Sequence, residues 1–193
     1  MRLSALAAIV KESGRCCRIT AANGRQFIST GYGVYNMDGY PKPQNKEELA
    51  AMLGISSKKM ESIFFDEKTA ENNIIYGVSL ADDPANEEPT DKLSTSIVVS
   101  GEEHIALRHP DGSVGFIRAS QLKPVESELN KEYAAVCVRW GNWRDGKPFY
   151  AIKDGMYLRA IILPATLGES TAEDLSEILA SMLSEQKKTE DGE

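Results

Sequence analysis

Long apolar runs, paired cysteines and histidine are all scarce in this chain. No uninterrupted run of about eighteen apolar residues occurs, which excludes a membrane-spanning helix of ordinary length. The opening segment MRLSALAAIVKESG has too short an apolar part, and no small-residue cleavage pattern, to serve as a secretory signal, so the expected location is the cytoplasm. Of the three cysteines, Cys16 and Cys17 are adjacent and Cys137 stands alone; with no CxxC spacing, neither a zinc site nor a disulfide framework is indicated. Buried, inert thiols are expected. His104 and His109 are the only histidines. Cys137 sits between Val136 and Val138 like a core residue, and nothing in the spacing brings it to either histidine as a nucleophile would require. The glycine-rich STGYGVYNMDGY contains neither GxGxxG nor GKS/T, so its glycines read as turn and bulge residues rather than a phosphate loop. The chain is therefore expected to be no enzyme, with no cofactor and no metal.

What is present is enough apolar material for a sizeable core: 41% of 193 residues. The net charge of -7 argues against wholesale coating by nucleic acid, yet it is unevenly spread. Residues 1–60 carry nine cations (Arg2, Lys11, Arg15, Arg18, Arg25, Lys42, Lys46, Lys58, Lys59) against four acids (Glu12, Asp38, Glu47, Glu48), an excess of +5, so the rest of the chain sums to -12. Such asymmetry can mark one face that meets a polyanion, or simply a solvated helix and its neighbours.

Periodicity divides the chain further. Leu3, Leu6, Ile9 and Val10 recur at helical spacing up to Gly14. CCRIT and RQFISTG flank Asn23-Gly24, and GVYNM runs to Asp38-Gly39, both good tight-turn signals. Residues 45–53 read as a second helix with Asn45 as N-cap and Glu48 three residues on. MESIFFDEK and NNIIYGVSL read as strands. Residues 81–92, ADDPANEEPTDK, hold five acids and two prolines and form the expected linker. Beyond it, strands turn at Asp111-Gly112, Asp145-Gly146 and Asp154-Gly155, which implies antiparallel sheet. An amphipathic helix follows over 171–186, with Leu175, Ile178, Leu179, Met182 and Leu183 on one side, and a disordered tail over 187–193. The expected fold is α+β: two small units, 1–80 and 93–170, of mostly antiparallel sheet with short helices.

SVGFIRASQLKPVES, then AAVCVRW, then PFYAIKDGMYLRAIILPATL, together resemble the last domain of bacterial DNA polymerase sliding clamps, through Gly115-Phe116, Leu122 and the closing Leu163-Pro164-Ala165. The segment Arg25 to Pro41 is also similar to uncharacterised phage- and prophage-encoded proteins. The clamp resemblance implies a non-enzymatic, ring-shaped homo-oligomer acting as a processivity factor in DNA replication. It would hold duplex DNA by non-specific phosphate contacts and receive a peptide of a polymerase or another replication protein. On that reading the DNA-facing residues are Arg2, Lys11, Arg15, Lys46, Lys58 and Lys59, and the partner-peptide groove is Ile162, Leu163, Pro164 and Leu167, on an apolar strand expected at a sheet edge. Residues 93–167 alternatively look like an SH3-like interaction module without DNA binding, its peptide groove drawn from Trp140, Trp143 and Tyr150.

Overall fold

Among the described residues, four short helices have defined bounds, each burying apolar side chains that recur at helical spacing or anchor it in the core. A computed structural model, which describes residues 1–140, 148–165 and 175, places α1 at Leu3–Ser13, burying Leu6, Ala7, Ile9 and Val10 and ending on Gly14 at φ 63°. Helix α2, Lys46–Leu53, starts on Asn45, whose side chain accepts the Glu48 amide, and buries Leu49, Ala50 and Leu53. Helix α3, Ser57–Glu61, replaces the beginning of an expected strand: Ser56 caps it by accepting the Lys59 amide, and Met60 anchors it in the core. Helix α4, Ala119–Glu126, runs through Pro124 at a cost of about one helical hydrogen bond. The Pro124 carbonyl accepts the Arg2 amide at 2.6 Å, which ties α4 to the start of α1.

The strands collect into one large sheet and two small ones. Across the large sheet the order is β4 (Phe64–Ala70), β1 (Arg15–Ala21), β2 (Gln26–Ser29), β3 (Gly33–Asn36), β13 (Tyr157–Ile162), β12 (Pro148–Asp154), β11 (Ala134–Trp140) and β7 (Glu87–Pro89). All neighbours are antiparallel except β1 and β4, which run parallel from Arg15↔Phe64 to Ala21↔Ala70. A parallel pair needs a crossover, and α2 with α3 provides it between β3 and β4. A three-stranded antiparallel sheet holds β8 (Asp91–Val99), β9 (Glu102–Arg108) and β10 (Val114–Arg118), while β5 (Ile74–Ile75) and β6 (Val78–Ser79) make a small hairpin. The fold is mixed α+β with mostly antiparallel sheets. Among the described residues no helix is long and apolar enough to cross a membrane.

Residue alternation gives the large sheet two buried faces. Cys16, Ile28, Tyr35, Tyr150, Ile152 and Ile162 point to the first, where they meet the helices together with Ile105, Leu107 and Ile117 of the small sheet. Cys17, Ile19, Phe27, Val34, Phe149 and Ile161 point to the second, under Ile75, Val78 and Leu80. Beyond the small sheet, its outer residues Ala106, Val114 and Phe116 pack with Ala165 and Leu175. Apart from Leu175, the expected helix over 171–186 and the tail over 187–193 lie outside the described residues, as do Leu167 and Trp143.

Residues 81–92 do not separate two sheets. β3 of the first half pairs with β13 of the second through Val34↔Ile161, and the linker segment itself supplies β7. Two of its acids, Glu87 and Asp82, are held by groups of the sheet. Arg139 is 1% exposed; it donates to Glu87 at 2.6 Å and to the Ser79 carbonyl at 2.6 Å. Lys153 reaches the other Glu87 oxygen at 2.5 Å, Arg25 bridges Asp82 and Asp38 at 2.9 Å each, and Asp82 also accepts the Leu158 amide at 2.8 Å. A segment with nothing apolar to bury is strapped to the sheet by cations that rise from it.

Candidate functional site

Among the described residues, members of the two predicted sets meet at the end of the sheet where β1, β3, β4 and β12 begin and β2 and β13 stop. A cavity of about 970 Å³ opens there. Leu163 and Pro164 line it from the end of β13, Arg15 from the start of β1 and Phe64 from β4. A cross-strand row in register, Asp66–Cys17–Ser29–Val34–Ile161, lines it together with the bulkier Phe64, Tyr76 and Phe149. Tyr32 closes one side and carries the Arg118 guanidinium 4.8 Å above its ring. Gln121 is 3% exposed, lines the same cavity, and its buried Oε1 has no hydrogen-bond partner.

The expected groove differs in two respects. Ile162 is fully buried in the first core and cannot anchor a ligand. The strand that carries it is interior rather than an edge, because β3 and β12 flank β13 on both sides. Pro164 follows the strand as a stop, after which the Ala165 amide donates to the Phe116 carbonyl at 2.8 Å and turns the chain toward the small sheet. The strands of 93–167 are likewise divided: β8 to β10 lie in one sheet and β11 to β13 in the other, with β3 and β7 from outside that range as partners.

The six predicted DNA-facing cations differ in their surroundings. Arg2, Lys11, Lys58 and Lys59 are exposed and, with Arg15, make no ion pair among the described residues. Lys46 instead folds back to the Ile63 carbonyl at 3.2 Å. Within the four helices, Lys11, Lys46, Lys58, Lys59 and Lys123 are matched by Glu12, Glu47, Glu48, Glu61 and Glu126, so the helical layer is electrically balanced. The surplus of residues 1–60 is partly spent inside the fold, through Arg18 on Glu67 at 2.9 Å and Arg25 on its two aspartates.

The titratable groups are similarly occupied. In the turn between β9 and β10, Ser113 donates through its amide (2.9 Å) and its hydroxyl (2.7 Å) to Asp111, which holds that carboxyl below the usual range. With its proton committed, Ser113 Oγ must accept from His109 Nδ1 at 2.9 Å, and His109 Nε2 then accepts from the Tyr150 hydroxyl at 3.0 Å. The serine proton points at the carboxylate and away from the imidazole, the reverse of an activated nucleophile. Gly115 permits the arrangement: a Cβ there would stand 1.8 Å from the Tyr150 hydroxyl. Burial pushes the Cys16 thiol up to about 12 and, with help from Glu87, the Cys137 thiol up to about 11; all three cysteines are buried and free. No cluster of three or more His, Cys, Asp or Glu able to hold a metal occurs among the described residues.

The His109 contacts set a pH dependence. Burial lowers the His109 pKa, so the unfolded chain takes up a proton near pH 6.5 while the folded chain does not. The His109 contribution to stability is thus complete above about pH 6.5 and is lost as pH falls from there toward the folded pKa. Denaturant midpoints measured at about pH 7.5 and about pH 5.5 should differ more for the wild type than for His109→Gln; equal differences would contradict the assignment. Both the histidine relay and the buried cations of the strap are absent from the sequence reading. Arg139 and Lys153, cations on inward-facing positions of two adjacent apolar strands, are the signal that could have revealed the strap. The chain matches no protein-family model, no curated protein and no solved structure.

Proposed function

We propose that this protein acts by binding rather than by catalysis, as a sliding-clamp-like replication accessory that receives a short peptide of a partner such as a polymerase in the cavity at the end of the large sheet. The observation that carries the reading is the meeting, in one cavity, of Leu163 and Pro164 with exposed Phe64 and with Arg15, which has no ion pair among the described residues. Apolar anchors of a peptide would sit against Phe64 and Leu163, and an acidic residue would face Arg15. The orphaned Gln121 Oε1 offers an acceptor for a peptide amide.

Duplex DNA is the second ligand in this reading, favoured by Arg2, Lys11, Lys58 and Lys59, whose charges are exposed and free of ion pairs among the described residues. A ring closed through the large sheet would use β4, the longer of that sheet's two edge strands, where Asp66, Glu67 and Lys68 place charge on the edge. Two labelled probes test the proposal. Short peptides with two apolar anchors and one acid should bind at micromolar concentration, and Phe64→Ala with Arg15→Glu should weaken them by about tenfold or more. A labelled duplex should bind weakly, with a log–log salt slope of about -0.9 per phosphate contact, and lose binding in Lys11→Glu/Lys58→Glu/Lys59→Glu. Peptide binding unchanged by the first pair of substitutions would overturn the cavity assignment; duplex binding unchanged by the triple substitution would remove DNA from the reading.

A further inference from the structure

We propose that the peptide received by the cavity lies extended across the strand ends, with apolar side chains about six residues apart and an acid about two residues from one of them; this rests on the peptide reading above and adds the conformation and spacing that the sheet imposes. Phe64 opens β4, Arg15 opens β1, the turn over 30–33 joins β2 to β3, and Leu163 follows the last residue of β13. Phe64 and Arg15 are partners in register, and the Leu163 amide donates to the Tyr32 carbonyl at 2.9 Å, so these features form one row along the end of the sheet. Alternation puts Phe64 and Arg15 on the face of Cys17, and Leu163 packs on the same core, so their side chains share one side of the sheet.

The strand order β4, β1, β2, β3, β13 sets the distances along that row. At about 4.8 Å between neighbouring strands, Arg15 stands about 5 Å from the Phe64 position and Leu163 about 19 Å from it. An extended peptide rises about 3.3 Å per residue and turns alternate side chains to the same side, so even separations suit the row: about 7 Å at the second residue and about 20 Å at the sixth. A helix would need about thirteen residues for the same span.

Polar groups choose the occupant. Among the described residues, the charged side chains lining the cavity are Arg15, Asp66, Lys68 and Arg118. Asp66 answers Lys68 at 3.7 Å and accepts the Glu67 amide at 2.8 Å, while Arg118 is divided between Glu12 at 3.4 Å and Glu102 at 3.2 Å. Arg15 is the member of that set with no ion pair among the described residues, and its place beside exposed Phe64 fixes where the acid belongs. Gln121 is 3% exposed with its Oε1 unpartnered, and the Tyr35 hydroxyl donates to its carbonyl at 3.0 Å, which holds it at β3, between the two anchor positions. A buried acceptor there calls for a donor, and an extended backbone presents an N–H to the same side at alternate residues.

Fluorescence anisotropy on the full chain tests the inference with labelled peptides that carry two leucines, from about 2 to about 15 residues apart, and a glutamate near the first in a Ser/Gly background. Affinity should peak at a separation of about six, be weaker at the odd separations on either side, and fall by about tenfold or more at about three and about nine. Phe64→Ala, a change at an exposed residue, should flatten that dependence. Exchanging the peptide glutamate for lysine should weaken binding to the wild type and strengthen binding to Arg15→Glu. A flat series, a peak near about thirteen that marks a helix, a peak unchanged in Phe64→Ala, or no rescue by the lysine peptide would overturn the inference while leaving peptide binding in the cavity intact. Absence of binding at every separation up to millimolar peptide would remove the peptide reading itself, and this inference with it.

Discussion

Residues 93–167 expressed alone should show no cooperative thermal transition. In that fragment β13 loses β3 along Gly33–Tyr35, β11 loses β7, and α4 loses α1, against which it packs. Ile162, Tyr150 and Ile152 belong to a core whose other wall is Leu6, Val10, Leu49 and Met60, all outside the fragment. Arg139 and Lys153 would be left without Glu87. A chain so deprived cannot bury enough apolar surface to offset its ordering entropy. Circular dichroism melts of the fragment beside the full chain decide the matter: a cooperative transition at the full-length temperature would restore the SH3-like module and contradict the interleaved sheet.

Glu87→Gln should be the most damaging single conservative change. Glu87 and Arg139 have side chains 7% and 1% exposed, and Lys153 is 8% exposed on the other oxygen of the same carboxylate. Removing the negative charge leaves two cations facing one neutral amide in a place water cannot reach. Breaking a buried pair of this kind costs about 3–5 kcal/mol, which for a chain of this size lowers the melting temperature by roughly 10 °C. Replacing the whole group, Arg139→Met with Glu87→Leu and Lys153→Met, should recover most of the loss, because apolar side chains of similar volume carry no desolvation cost. A Glu87→Gln melt within about 2 °C of wild type would show that the cluster is solvated and the strap weakly held.

Local structure was legible where a single physical signal decides it. Asn45 with Glu48 marks the start of α2, Gly14 and Gly54 end their helices at φ 63°, and the Asx-Gly pairs at 111–112 and 154–155 lie between antiparallel strands. Pairing across distance was not legible. Nothing in GVYN says that its partner is AII of β13, because both are short apolar strands that would suit many neighbours. The acidic run at 81–92 misled for a related reason: composition measures charge but not whether a cation waits opposite. The same holds for the basic segment, whose excess is real in the sequence and partly cancelled in space by Glu67, Asp38 and Asp82. Arg15, Leu163 and Pro164 do share a cavity, whereas Ile162 was drawn into the groove by adjacency alone, since alternate residues of a strand face opposite sides.

The pairing of β3 with β13 also dictates an order of events during synthesis. As the polypeptide leaves the ribosome, α1, β1, β2, β3, α2, α3 and β4 emerge first and can assemble, since every contact among them is available by residue 70. That nascent half-sheet ends on β3, whose Gly33–Asn36 backbone faces an empty position until Tyr157–Ile162 has been translated. At about 5–20 residues per second the gap lasts several seconds, during which an apolar edge stands open to any passing strand. Closing the sheet is therefore a late, long-range event, and the passage from nascent chain to native protein is governed by topology rather than by the stability of either half.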